Sequence, residues 1–150
     1  MAIFTGPVDS TTTIPVFGAG DPRALPSEFA MYCFSGATSG ESCNHSVVST
    51  GEAQNCHATC QEGLTTLVGP RGSRKGDSGA PLYVKGNGGA FIRGHIIASS
   101  AAPISVPVIG EIPVVSVAVP WSKVSDEYGV DIVTGFEGVD MVPDPAGATG

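Results

Sequence analysis

The chain has 150 residues, 41% hydrophobic and 14% charged, which fits one domain with a real core and excludes disorder throughout. Its formal charge is -7, and its seven Lys and Arg are scattered apart from a small group at Arg71, Arg74 and Lys75. No basic face is available for nucleic acid or an anionic membrane, so neither is an expected partner.

In chain order, residues 1–27 are rich in Thr, Gly and Pro without periodicity, and are expected to be an irregular lead-in. EFAMYCFS, from Glu28, has strand chemistry, and SGATSGES after it reads as a turn. Val47 and Val48 close a second strand after Cys43. Leu64–Val68 and Pro81–Lys85 are further strands, separated by the loop GPRGSRKGDSGA. GNGG at Gly86–Gly89 predicts a hairpin turn into the strand Phe91–Ala98. The apolar run Ile96–Pro120 is broken by four prolines and Glu111, so it reads as strands and a loop rather than a membrane span. Val114–Val119 is its last strand. Trp121–Tyr128 is the one convincing helix, with Trp121, Val124 and Tyr128 on one face and Gly129 ending it. Residues 136–150 form an acidic tail. Gly and Pro, 21 and 12 in number, punctuate short strands: the expectation is an all-β fold.

Cys33, Cys43, Cys56 and Cys60 suggest disulfides and an oxidising compartment. The opening MAIFTGPVDSTTT nevertheless lacks the apolar core and basic leader of a signal peptide, which suggests that the chain begins partway through a longer design.

The chemistry sits in Gly76-Asp77-Ser78-Gly79-Ala80-Pro81. A serine hydroxyl is a poor nucleophile until a base takes its proton and donors stabilise the oxyanion. Glycines let backbone N–H groups converge on one point, although the same letters also make an ordinary tight turn. GDSGAP resembles the nucleophile motif of chymotrypsin-like serine peptidases, with Ala80 replacing a glycine. Cys33-Phe-Ser-Gly-Ala-Thr-Ser-Gly-Glu-Ser-Cys43 is similar to the cysteine hairpin of the streptogrisin and α-lytic-protease subfamily. Tyr128–Gly135 resembles that subfamily's closing segment, and the three landmarks stand in family order.

The resemblance covers about residues 28–135 and implies the C-terminal six-stranded antiparallel barrel of the two-barrel trypsin-like fold, with a short C-terminal helix. It implies that Ser78 is the acylating nucleophile, that the N–H groups of Gly76 and Ser78 form the oxyanion hole, and that Cys33 and Cys43 are bonded. Asp77 becomes a buried acid whose pairing with a cation shapes the loop. Phe34 stands where the relatives often carry an arginine, which leaves Arg74 and Lys75 as available cations. Gly72, Ser73 and His95 are candidates for the specificity pocket, which lacks an acid for a Lys or Arg side chain. Cys56 and Cys60 either pair locally or stay reduced. The resemblance implies no cofactor and no metal, a peptide or protein substrate, and an extracellular location.

The family's base and its orienting acid belong to a first barrel. About 30 residues precede Cys33, without a histidine, and Asp9 and Asp21 have no motif around them. Little or no proteolysis is expected of this chain alone, pending a missing N-terminal barrel or self-association. The alternative is a non-catalytic peptide-binding or remnant barrel. A dyad rewired through His45 or His95 and a zinc site on the cysteines with His45 or His57 are weaker readings; His95 reads more plainly as a half-buried strand histidine satisfied by backbone. An isolated half should also expose apolar surface.

Overall fold

The computed structural model describes residues 2–23, 31–56, 60–70, 72–99, 104–106, 110–112 and 116–129; at 51–56, 60–62, 98–99, 104–106 and 110–112 the backbone alone is described. The expected acidic tail, His57 and the closing segment after Gly129 lie outside these residues.

The strands are β1 (Ala2–Phe4), β2 (Thr13–Ala19), β3 (Tyr32–Gly36), β4 (Gly40–Cys56), β5 (Cys60–Val68), β6 (Pro81–Gly86), β7 (Gly89–Ser99), β8 (Ile104–Val106), β9 (Gly110–Ile112) and β10 (Ser116–Pro120), followed by α1 (Trp121–Tyr128). The order β7-β10-β5-β4-β3-β6 returns to β7, which pairs with β6, so six antiparallel strands close a barrel. Closure removes the open edges that a six-stranded sheet would otherwise present.

Period-two alternation sorts the side chains. Tyr32, Phe34, Val47, Leu67, Leu82, Val84, Phe91, Ile96 and Ala118 fill the interior. Cys33, Tyr83, Ala90 and Ile92 point outward, where Ile3 and Val16 pack on them. At the end of β6, Asn87 (φ 55°) and Gly88 (φ 84°) both take left-handed backbone, and Gly86 faces Gly89. This two-residue turn matches strand twist, as GNGG predicts. In α1, Trp121 and Val124 pack on the outer clusters, but Tyr128 is 69% exposed, so the three-residue face stops at its second member. Gly129 ends the helix in left-handed conformation (φ 60°).

Two expectations change. The segment 1–27, expected to be irregular, contains β1 and β2, and β2 runs parallel to β7 over Ala90–Ile92. Val16 is fully buried, and Phe17 meets Phe91 edge to face with ring centroids 6.1 Å apart. Beyond β2, the Gly20 N–H donates to Ile92 O, Arg23 N–H donates to the Tyr32 hydroxyl, and Asp21 Oδ1 accepts the Ser122 N–H at 2.7 Å. Asp21 thereby satisfies an orphan donor in the first turn of α1, 101 positions away. This segment covers part of the outer face of the barrel, where Ile3 and Val16 pack on Tyr83, Ala90 and Ile92. The second change is in the Pro-broken loop, where β8 and β9 pair as a short hairpin.

Candidate functional site

The loop between β5 and β6 carries Gly72–Ala80, and its conformation is set from within and from across the barrel. Asp77 N–H donates to Arg74 O and Ala80 N–H to Asp77 O, which curls the loop into consecutive turns. Gly79 N–H donates to Ile96 O at 2.7 Å, and Ile96 N–H to Ala80 O, which fasten it to β7. Gly76 (φ 99°) and Gly79 (φ 88°) occupy backbone that a side chain strains.

Asp77 is buried, with 1% of its surface exposed. Oδ1 accepts the N–H groups of Thr38 and Ser39, each at 2.9 Å. Oδ2 accepts the Ser39 hydroxyl and the Arg74 N–H, the latter at 2.8 Å. Burial by itself pushes this carboxyl up, but the bonds from the Ser39 hydroxyl and from the N–H groups of Arg74, Ser39 and Thr38 outweigh it and hold it below the usual value. Among the described residues no Lys or Arg makes an ion pair with Asp77, while Arg71 of the same loop lies outside them. Arg74 contributes its backbone, and the side chains of Arg74 and Lys75 are exposed. Phe34, in place of the relatives' arginine, is wholly buried in the barrel against the His45 ring.

Thr38 and Ser39 belong to the turn of the β3–β4 hairpin, which the Cys33–Cys43 disulfide closes. The fit between hairpin and loop is close. A Cβ on Gly36 would stand 2.2 Å from Asp77 Oδ1, and one on Gly76 2.2 Å from Thr38 Oγ1. Thr38 Oγ1 donates to Lys75 O at 2.8 Å. The hairpin turn is itself held by residues before β2: Glu41 N–H donates to Gly6 O, and the Glu41 carboxylate accepts from Gly6 N–H, Lys85 Nζ (2.8 Å) and the Tyr83 hydroxyl. Burial raises the Glu41 carboxyl less than these donors lower it, while burial and that same carboxylate push the Tyr83 hydroxyl far up.

Ser78 is exposed, and its hydroxyl donates to Ile97 O at 3.3 Å. The N–H groups of Gly76 and Ser78 have no protein acceptor among the described residues, and both residues are exposed. The loop thus carries an exposed hydroxyl and two backbone donors without an acceptor among the described residues.

The histidines stand elsewhere. His45 is buried on β4, its Nε2 2.8 Å from Ser42 Oγ and its imidazole against Phe34 and the Gly69 backbone. His95 pairs with Pro81 and Val119 in β7, and strand alternation turns it to the face opposite the interior Ile96. It is half-buried, but its Nδ1 is buried without a hydrogen-bond partner among the described residues, so it is not the backbone-satisfied histidine expected. Neither histidine bonds to Ser78. Of the pocket candidates, Ser73 is buried and its N–H donates to Ser116 Oγ (3.1 Å) on β10, with Gly72 half-buried beside it; no bond brings His95 to them among the described residues.

Cys33 and Cys43 form the expected disulfide, so neither is a thiolate for zinc, although Glu41 lies close to both sulfur atoms. Cys56 and Cys60 face one another at the last rung of β4 and β5, and their side chains lie outside the description. No helix among the described residues is long and apolar enough to cross a membrane.

Two features went unread in the sequence: the Thr38-Ser39 donors at the hairpin turn and the Ile97 carbonyl under the Ser78 hydroxyl. The hydroxyl-rich letters SGATSGES carried the only signal for the first, since Ser and Thr there could donate to a distant acid. A backbone carbonyl leaves no signal at all.

The closed six-stranded barrel with this loop between β5 and β6 has the fold of a chymotrypsin-like peptidase barrel. Among solved structures, the chain is similar to a glutamic-acid-specific serine protease that uses a histidine triad in substrate binding, with a TM-score of 0.62 and 16% identity over 86% of this chain and 59% of that one. It is also similar to Thermobifida fusca protease A, with a TM-score of 0.55 and 22% identity over 86% of this chain and 60% of that one. The chain thus spans about 60% of the length of these structures. No family profile and no curated protein matches it.

Proposed function

We propose that the chain is the nucleophile-bearing barrel of a serine-type endopeptidase. The observation that carries the reading is the pairing of the exposed Ser78 hydroxyl with the unengaged N–H groups of Gly76 and Ser78 on a loop braced by buried Asp77. In the reaction, Ser78 Oγ attacks a peptide carbonyl carbon while its proton passes to a base, and Gly76 and Ser78 N–H receive the oxyanion. The C–N bond breaks as the amine leaves with that proton, and water then releases the acyl group. Gly72 and Ser73 would border the side-chain pocket, and an extracellular location agrees with the Cys33–Cys43 disulfide.

This reading takes the base from outside the described residues of the barrel. The Ser78 hydroxyl points to a carbonyl that cannot take its proton, and His45 and His95 are engaged or turned away. On this reading the chain alone would be inactive or nearly so, with a first barrel or a second copy supplying the base. The same observation favours a second reading, a non-catalytic barrel that binds extended peptides.

Fluorophosphonate labelling, read by intact mass with Ser78→Ala as control, tests the proposal. Labelling at Ser78, alone or with a histidine-bearing barrel added in trans, is expected. Inertness in both conditions, with saturable peptide binding that survives Ser78→Ala, would replace it with the binding reading.

A further inference from the structure

We propose that Ser39 is a positioning residue for the Ser78 loop: its hydroxyl is the one side chain among the described donors to Asp77, and it holds in shape the loop that presents the Gly76 and Ser78 N–H groups. The proposal rests on the reading of those groups as an oxyanion site and adds how that site is kept in shape.

An ionised carboxylate only accepts hydrogen bonds, so every group touching Asp77 must donate. The structure supplies four donors: the N–H groups of Thr38, Ser39 and Arg74, and the Ser39 hydroxyl. Three are backbone and follow from chain path. The Ser39 hydroxyl is the one side chain among them, and it is buried with the carboxylate. Hydrogen bonds to a buried charge are stronger than those between neutral groups, because low polarity around them strengthens the attraction. The room is also fixed, since Gly36 leaves no space between β3 and the carboxylate.

Among the described residues, no charged side chain bonds to Asp77. On the loop itself, the Arg74 and Lys75 side chains are exposed. On the hairpin, Gly36, Thr38 and Ser39 carry no charge, and Glu41 is tied to Lys85, Tyr83 and Gly6. From β7, Ile96 approaches the loop through its N–H and carbonyl and Ile97 through its carbonyl. A lock built this way has no ammonium or guanidinium partner among the described residues, and it weakens when Asp77 takes up a proton.

The test follows the Asp77 carboxyl carbon and the Gly76 and Ser78 amides by NMR in the full chain between pH 2.5 and 7. In the unaltered chain, the three signals should move together with a midpoint below the ordinary aspartate value of about 3.9. Ser39→Ala should raise that midpoint by about one pH unit and shift both amides, while the Asn87 and Gly88 signals in the distant turn stay in place. Ser39→Thr, which keeps a hydroxyl, should bring the midpoint back. The double variant Arg74→Gln/Lys75→Gln, altered at exposed sites, should leave it within about 0.3 unit. An unchanged midpoint in Ser39→Ala, or a rise not reversed by Ser39→Thr, overturns the proposal. So does a rise in the double variant as large as that expected for Ser39→Ala, and this arm decides the matter if Ser39→Ala does not fold. None of these readouts needs a reaction at Ser78, so failure to label leaves the lock intact and failure of the lock leaves labelling intact.

Discussion

Asp77 and Ser78 are neighbours in sequence and opposites in surroundings. The Asp77 carboxylate is buried and receives four hydrogen bonds, three of them from groups of a hairpin 38 or 39 positions away. The Ser78 hydroxyl is exposed and makes a single 3.3 Å bond to a backbone carbonyl. The difference separates two tasks that a serine nucleophile loop must perform. Shaping the loop is completed within this barrel, because its donors come from the barrel's own hairpin. Activating the hydroxyl needs a base on the solvent side, where this barrel places none among the described residues.

The strongest way to break the contrast is to empty its buried side. Asp77→Ala leaves three backbone N–H groups without an acceptor and is expected to cost about 3 kcal/mol or more in urea unfolding. Loss of labelling at Ser78 should accompany it under any condition that labels the parent chain. Next comes the hairpin that delivers the donors. Replacing Cys33 and Cys43 together by Ser removes the cross-link across it, for about 2–3 kcal/mol, read from the same unfolding midpoint.

Acid should act on the buried side as well. The Asp77 and Glu41 carboxyls lie below their usual values of 3.8 and 4.5 in the folded chain, so each contributes stability that is present above those values. That contribution is lost as pH falls through the lower, folded values. The urea midpoint should therefore drop below about pH 4, with a shallower drop in Asp77→Asn. The smallest effect belongs to the exposed side: Ser78→Ala should change stability by no more than about 0.5 kcal/mol while abolishing every label. A large destabilisation from Ser78→Ala would show that the hydroxyl is structural and would erase the contrast.

Much of this could be read in the letters, for reasons that are local. GNGG makes its turn because two consecutive left-handed residues suit Asn and Gly. WSKVSDEYG starts and stops as a helix because Pro120 precedes it and Gly129 accepts left-handed backbone. The Cys33–Cys43 bond and the GDSGAP loop were legible through their likeness to a known pattern. The lead-in was not. TIPVFGA is a strand because β7 offers it an edge, and no local pattern marks a strand whose partner lies some 75 positions on. Val16 and Phe17 gain their burial only there.

The sequence by itself therefore determined the β class, the turns, the helix, the disulfide pair and which serine sits in the glycine-rich loop. The class, the turns and the helix depend on backbone preference, which each short segment carries with it; the disulfide pair and the serine were legible only through resemblance to a known family. Tertiary structure alone decided that Asp77 accepts from Thr38, Ser39 and Arg74, that Asp21 accepts from the first turn of α1, and that His45 and His95 make no bond to Ser78. The physical reason is that hydrogen bonds and burial depend on distance in space. A serine that donates to an acid 38 positions away looks, in the sequence, like any other serine in a turn.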